Sequence, residues 1–149
     1  MTQSNELEFI KYLSFPQIPQ EIIDKLEKNP EYHTDRPWSI DYFFRSDSYK
    51  EEIERWCKKN ISQELQYGFQ ISTNDVPVHV DNRVFVKLFY LIQEGGNPVY
   101  TTYYNSDGDA LKQYRIPENQ WVIFRADVDH SVTGMHPDGV RISLVAKLF

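Results

Sequence analysis

The sequence predicts a mostly β protein, a sandwich or open barrel of jelly-roll type with N-terminal helices packed on its outer face. Three observations carry that expectation. Aromatic side chains make up 15% of the 149 residues, and they favour strands. About eight short stretches after residue 64 read as strands divided by turn residues, the pattern of a jelly roll. The first 63 residues instead carry two amphipathic helical stripes, each of which needs an apolar surface to cover.

The length is that of one domain, large enough to bury a sizeable core. We divide it into a helical support region, 1–63, and a strand-rich core, 64–149. The formal net charge is −6 and the pI about 5.2. No block of Lys and Arg interrupts that acidity, which argues against a nucleic-acid partner. The single cysteine, Cys57, excludes an intrachain disulfide. It follows Trp56 on the apolar side of a predicted helix, so we expect a packed, inert thiol. The N-terminal residues are polar and no apolar run is long enough to span a membrane. The expectation is a cytoplasmic protein with no membrane partner.

Pro19 opens the first predicted helix, Gln20 to Lys28, with Ile22, Ile23 and Leu26 on one stripe. The second runs from Ser48 to Asn60. Ser48 and Glu51 have capping-box spacing, and Ile53, Trp56 and Cys57 share a face. Alternation then marks a strand through Tyr67, Phe69 and Ile71, and another from Val76 to Asp81. Arg83 to Ile92 is an apolar run broken by Lys87 and ended by Gly95-Gly96-Asn97. Val99 to Tyr104 and Leu111 to Ile116 form a hairpin around Ser106-Asp107-Gly108-Asp109. Trp121 to Phe124, His130 to Thr133 and Val140 to Leu148 complete the set.

His79 and Asp81 alternate in a predicted strand, so an imidazole and a carboxylate project from one face. Val78 and Val80 are expected to point the other way, into packing. A lone His-x-Asp arises easily by accident. Here it is followed by His130 at the start of a later strand, then by Arg141 and Ser143 on one face of the last strand. An arginine facing a barrel interior is costly unless it meets an anion. A carboxylate held by the guanidinium fork, with a hydroxyl beside it, would satisfy it. Two histidines, one carboxylate and open positions make the facial triad of non-haem iron sites.

Through His79-Val80-Asp81, His130-Ser131-Val132 and Arg141-Ile142-Ser143, the sequence resembles the Fe(II)/2-oxoglutarate-dependent dioxygenases over about residues 65–149. The resemblance implies a double-stranded β-helix core. It implies Fe(II) held by His79, Asp81 and His130, and 2-oxoglutarate held by Arg141 and Ser143, with O2 as the other cosubstrate. His79-Val80-Asp81-Asn82, with Tyr90-Leu91 in the next strand, is similar to the prolyl hydroxylase branch, which makes Tyr90 a further implied contact to the cosubstrate. That branch has a tyrosine about ten residues before the first ligand, whereas Phe69 stands here and Tyr67 two residues earlier. The first half matches nothing in the family, so the primary substrate stays open between an amino-acyl side chain and a small metabolite.

His136 lies too close to Arg141 to be the distal ligand and reads as a loop residue. His33 has no partner pattern. Asp127 and Asp129 precede His130, where an exposed loop is the simpler reading than a hydrogen bond to the ligand imidazole. Arg125 and Lys87 read as snorkelling surface residues. Two other readings stand beside the oxygenase: a cupin-type metal protein without 2-oxoglutarate, and a non-catalytic jelly-roll binding protein.

Overall fold

A computed structural model describes residues 8–26, 38–40, 48–81 and 84–148. His33, Asn82 and the expected last helical residues 27–28 lie outside the described residues. The first strand, β1 (Ile10–Tyr12), precedes the helix α1 (Gln20–Lys25). Pro19 caps α1, its carbonyl accepting from the N–H groups of Ile22 and Ile23 at 3.0 and 3.2 Å. The helix stops earlier than its apolar stripe predicts, because Leu26 turns to extended backbone (φ −71°, ψ 136°) and is buried. β2 (Trp38–Ile40) follows, then α2 (Ser48–Asn60) with the bounds its spacing predicts.

The remaining strands are β3 (Tyr67–Ser72), β4 (Val76–His79), β5 (Val86–Gln93), β6 (Tyr100–Tyr104), β7 (Ala110–Tyr114), β8 (Trp121–Arg125), β9 (His130–Thr133) and β10 (Arg141–Lys147). They form two antiparallel sheets. One has six strands in the order β1-β8-β5-β10-β3-β2, the other four in the order β4-β9-β6-β7. β1 and β2 were not expected. Three residues are too few to show a period, and among the described residues both strands sit at sheet edges, β1 paired with β8 and β2 with β3. Their conformation comes from pairing rather than from their own pattern.

The six-stranded sheet buries apolar side chains on both faces, and parity sorts them into two clusters. One holds Phe69 and Ile71 of β3, Leu88 and Tyr90 of β5 and Leu144 of β10, together with Ile23 of α1 and Ile53 and Cys57 of α2. Ile53 and Cys57 are fully buried, and truncating a side chain such as Ile53 to alanine in a close-packed core costs about 2–5 kcal/mol. The other cluster takes the alternate residues, Phe89 and Leu91 of β5, Val122 and Phe124 of β8 and Val145 of β10, with Tyr103 of β6 from the four-stranded sheet. The space between the sheets therefore belongs to residues of one parity on each strand.

Candidate metal centre

β4 ends at His79 and β9 begins at His130, and the register sets these two directly opposite each other. Their ring centroids lie 4.4 Å apart. Asp81 follows just past β4, its N–H bonded to the Ala126 carbonyl at 2.9 Å. That bond turns the carboxylate back towards the imidazoles. Asp81 Oδ1 stands 3.3 Å from His79 Nε2 and 3.8 Å from His130 Nε2. One ligand atom from each of the three residues lies within 4.8 Å of the others.

Each imidazole is oriented the same way. His79 Nδ1 is 2.7 Å from the Pro77 carbonyl, and His130 Nδ1 is 2.6 Å from the Val128 carbonyl. A carbonyl only accepts, so both Nδ1 atoms donate and the neutral rings carry their lone pairs on Nε2. Those lone pairs face a carboxylate oxygen, an arrangement that needs a cation or a proton among the three. Burial pulls His130 down to about 4, leaving it neutral. Protonated His79 would donate from Nε2 to Asp81, and that hydrogen bond raises its pKa against the opposing effect of burial. Burial alone would raise the Asp81 carboxyl, but hydrogen bonds from His79 and Lys87 and the nearby positive charge hold it well below the usual carboxylate range. Two imidazole lone pairs and an ionised carboxylate converging on one point are the donor set of a divalent transition metal, and the buttressed Nδ1 atoms are the outer support such ligands require.

A cavity of about 40 Å³ adjoins this cluster, lined in part by His79, Lys87, His130, Arg141 and Ser143. Arg141 is 6% exposed. Among the described residues its guanidinium makes one hydrogen bond, 3.2 Å to the Glu94 carbonyl. Burial lowers its pKa to about 10 against the pull of Glu94 and Glu118, and the group remains a cation at neutral pH. The turn after β5 approaches it closely. Gly95 has φ 85°, and a Cβ there would stand 2.9 Å from the backbone nitrogen of Arg141. Gln93 Nε2 donates to the Val140 carbonyl at 2.7 Å, and the His136 N–H to the Gly95 carbonyl at 3.0 Å. His136 itself is exposed in the segment between β9 and β10 and does not line the cavity, as the sequence predicts.

Three expectations are corrected. Tyr90 is not at the cavity. It is fully buried in the cluster that holds Ile53 and Cys57, where its ring packs on Trp121 and its hydroxyl accepts from the Ile18 N–H at 3.2 Å. On β5 the residues facing the cavity are Lys87 and Phe89, and Tyr90 has the opposite parity. Lys87 is not a surface residue. It is 5% exposed, with Nζ 3.0 Å from Asp81 Oδ2. Val78 and Val80 do not pack inward but are 53% and 42% exposed, and neither joins an apolar cluster among the described residues.

Parity also explains Phe69 and Tyr67. Both belong with the helix-bearing cluster, and the β3 residues that line the cavity are Gln70 and Ser72. Asp127 pairs with Arg125 Nε at 2.8 Å, in keeping with a loop position, and the Asp129 carbonyl accepts from the Tyr104 N–H.

No known family model matches the sequence, and no curated protein does either. Solved structures do match. An oxidoreductase of the 2OG-Fe(II) oxygenase family from Burkholderia pseudomallei superposes with a TM-score of 0.52 at 10% identity, covering 86% of this chain and 77% of that one. A variant of Bacillus subtilis oxalate decarboxylase gives 0.47 at 15% identity, and the match takes in 78% of this chain but only 27% of the decarboxylase. Hydroxypropylphosphonic acid epoxidase from S. wedmorenis gives 0.41 at 11% identity, over 56% of this chain and 43% of that one. The fold is of the kind found in that oxygenase. Among the described residues no helix is long and apolar enough to cross a membrane.

Proposed function

We propose that this chain is a dioxygenase dependent on Fe(II) and 2-oxoglutarate, built on a double-stranded β-helix core within residues 64–149. His79, Asp81 and His130 hold the metal through Nε2, a carboxylate oxygen and Nε2. Arg141 and Ser143 hold the distal carboxylate of the cosubstrate. The observation that carries the reading is Arg141: a buried guanidinium with one hydrogen bond among the described residues, sharing a cavity with His79 and His130. A buried arginine left with free donors is stabilised by an anion that fills them.

When bound, the iron would supply redox chemistry that couples oxidative decarboxylation of 2-oxoglutarate, with O2, to hydroxylation of an amino-acyl side chain or small metabolite. The protein's own part is orientation. The Pro77 and Val128 carbonyls fix both imidazoles, and the Ala126 carbonyl fixes Asp81. Phe89, Phe124 and Val132 give the cavity apolar walls that limit water. The decisive test is anaerobic titration of the Fe(II)-loaded protein with 2-oxoglutarate, following the visible charge-transfer band of a chelated keto acid. Saturable growth of that band is expected. Its absence in iron-loaded protein would overturn the reading.

One observation favours a second reading, a cupin-type metal protein without 2-oxoglutarate. The cavity of about 40 Å³ has room for only a few waters, one water needing about 10–15 Å³ of such space. A dicarboxylate needs the sheets or side chains there to yield. The same titration separates the two readings, since a cupin-type site would bind the metal and develop no band.

A further inference from the structure

β5 carries one charged side chain into the space between the sheets. Lys87 pairs with Phe124 of β8 and with Lys147 of β10, so its backbone is held on both sides and parity aims its side chain at the cavity. Its Nζ lies 4.8 Å from the Phe124 ring centroid and 3.0 Å from Asp81 Oδ2. The other oxygen of that carboxylate, Oδ1, faces His79 Nε2 and His130 Nε2 at 3.3 and 3.8 Å. The two carboxylate oxygens thus have separate partners, one an ammonium and the other the point where the imidazoles converge.

We propose that Lys87 is a positioning residue that holds Asp81 as a one-oxygen metal ligand, keeping open a coordination position that a two-oxygen carboxylate would take. The inference rests on the metal reading above. Carboxylates bind metal ions through one oxygen or through both. A free Asp81 could rotate about its last bond and chelate. With Oδ2 committed to a charge-assisted hydrogen bond, only Oδ1 is left for the ion. The ammonium has donors but no lone pair, so it cannot enter the coordination sphere itself. In a six-coordinate site, two imidazoles and a one-oxygen carboxylate leave about three positions free. A cosubstrate binding at two points and a gas molecule together need that number. A chelating Asp81 would leave one too few.

The test compares Mn(II)-loaded wild type with Lys87→Met, which keeps side-chain volume, and Lys87→Arg, which keeps a charged donor. Water-proton relaxation per bound Mn(II) counts the rapidly exchanging waters on the open positions. Wild type is expected to show about three and Lys87→Met about two, with inner-sphere relaxivity falling by about a third. Lys87→Arg is expected to restore the wild-type value. A lysine with a merely structural role would change stability or Mn(II) affinity and leave relaxivity per bound ion unchanged. Equal relaxivity in wild type and Lys87→Met therefore overturns the proposal. A crystal structure of the Mn(II)-loaded wild type decides the matter without any variant. Nζ remaining within hydrogen-bond distance of Oδ2 supports the proposal, whereas a lysine displaced by the ion shows that it only stood in for the metal. Failure of wild type to bind Mn(II) would overturn the metal reading itself, an outcome distinct from normal binding with unchanged relaxivity.

Discussion

His79 and His130 occupy facing positions in the β4–β9 ladder, and each is held by the carbonyl two residues before it in its own chain segment. The strand pair alone thus brings two Nε2 atoms to one place with their tautomers set. Only Asp81 needs a contact with the other sheet's strands, its N–H bond to Ala126 beside the end of β8.

The protein is expected to bind one Fe(II), or Mn(II) in its place, and His79→Ala and His130→Ala are each expected to lose it. Removing a hydrogen-bond partner of a metal ligand typically costs about 10–100-fold in affinity, and removing the ligand itself should cost more. Calorimetric titration with Mn(II) under argon measures this. Stoichiometric binding of unchanged affinity in both variants would sink the assignment.

Tyr90→Phe is expected to leave 2-oxoglutarate affinity unchanged while lowering stability. Its hydroxyl satisfies the buried Ile18 N–H at 3.2 Å on the face of the sheet opposite the cavity. Leaving that donor unpaired costs about 1–3 kcal/mol, which urea unfolding would resolve. A cosubstrate affinity that falls while stability holds would return Tyr90 to the site.

The contrast between Tyr90 and Arg141 shows what the sequence could and could not say. Arg141 and Ser143 alternate with Ile142 and Leu144, and the pattern alone put both polar residues on one face, where the cavity lies. β5 offers no such pattern. Apart from Lys87, Val86 to Ile92 is apolar on both faces, since one face joins the cluster that includes Ile53 and Cys57 and the other the cluster that includes Tyr103 of the second sheet. Facing could have been read there from Lys87 alone. A lysine within a strand flanked on both sides has no route to the surface, and its parity with Phe89 excludes Tyr90. The carbonyls that orient the histidines were illegible for a different reason: every residue has one, so no side chain records the role. β1 and β2 were likewise hidden, because edge pairing rather than pattern makes them strands.

Cys57 is expected to react slowly with alkylating reagents in the native state. It is fully buried on α2, and burial, aided by the charge of Glu54, pushes its thiol up to about 12. At pH 8 the thiolate fraction is then smaller by about 10³-fold than for an ordinary thiol near 8.5. The native rate should keep rising tenfold per pH unit above 9, where a free thiol levels off, until the fold itself gives way. Rapid native labelling at pH 8 would mean that α2 does not hold Cys57 against the sheet.

Arg141→Ala is expected to keep the metal and lose the cosubstrate. The guanidinium is 6% exposed and makes one hydrogen bond to protein, at the Glu94 carbonyl, among the described residues. It takes no part in the His79–Asp81–His130 cluster, so Mn(II) affinity should hold within a few-fold. Truncating one partner of a buried, hydrogen-bonded charge pair costs about 2–5 kcal/mol. That is a loss of roughly thirtyfold to several-thousandfold in 2-oxoglutarate affinity, at about 1.4 kcal/mol per decade. Ser143→Ala removes one hydrogen bond to a charged group and should cost about 1.5–3 kcal/mol. Arg141→Lys should recover only part of the loss, since a point charge cannot reproduce the two-pronged fork and its shorter reach leaves the Glu94 carbonyl unpaired. Anaerobic titration of each iron-loaded variant with 2-oxoglutarate ranks the four proteins. Wild type should saturate first, Ser143→Ala and Arg141→Lys later, and Arg141→Ala last. If Arg141→Ala titrates like wild type, the distal carboxylate is held elsewhere and the cupin-type reading takes precedence.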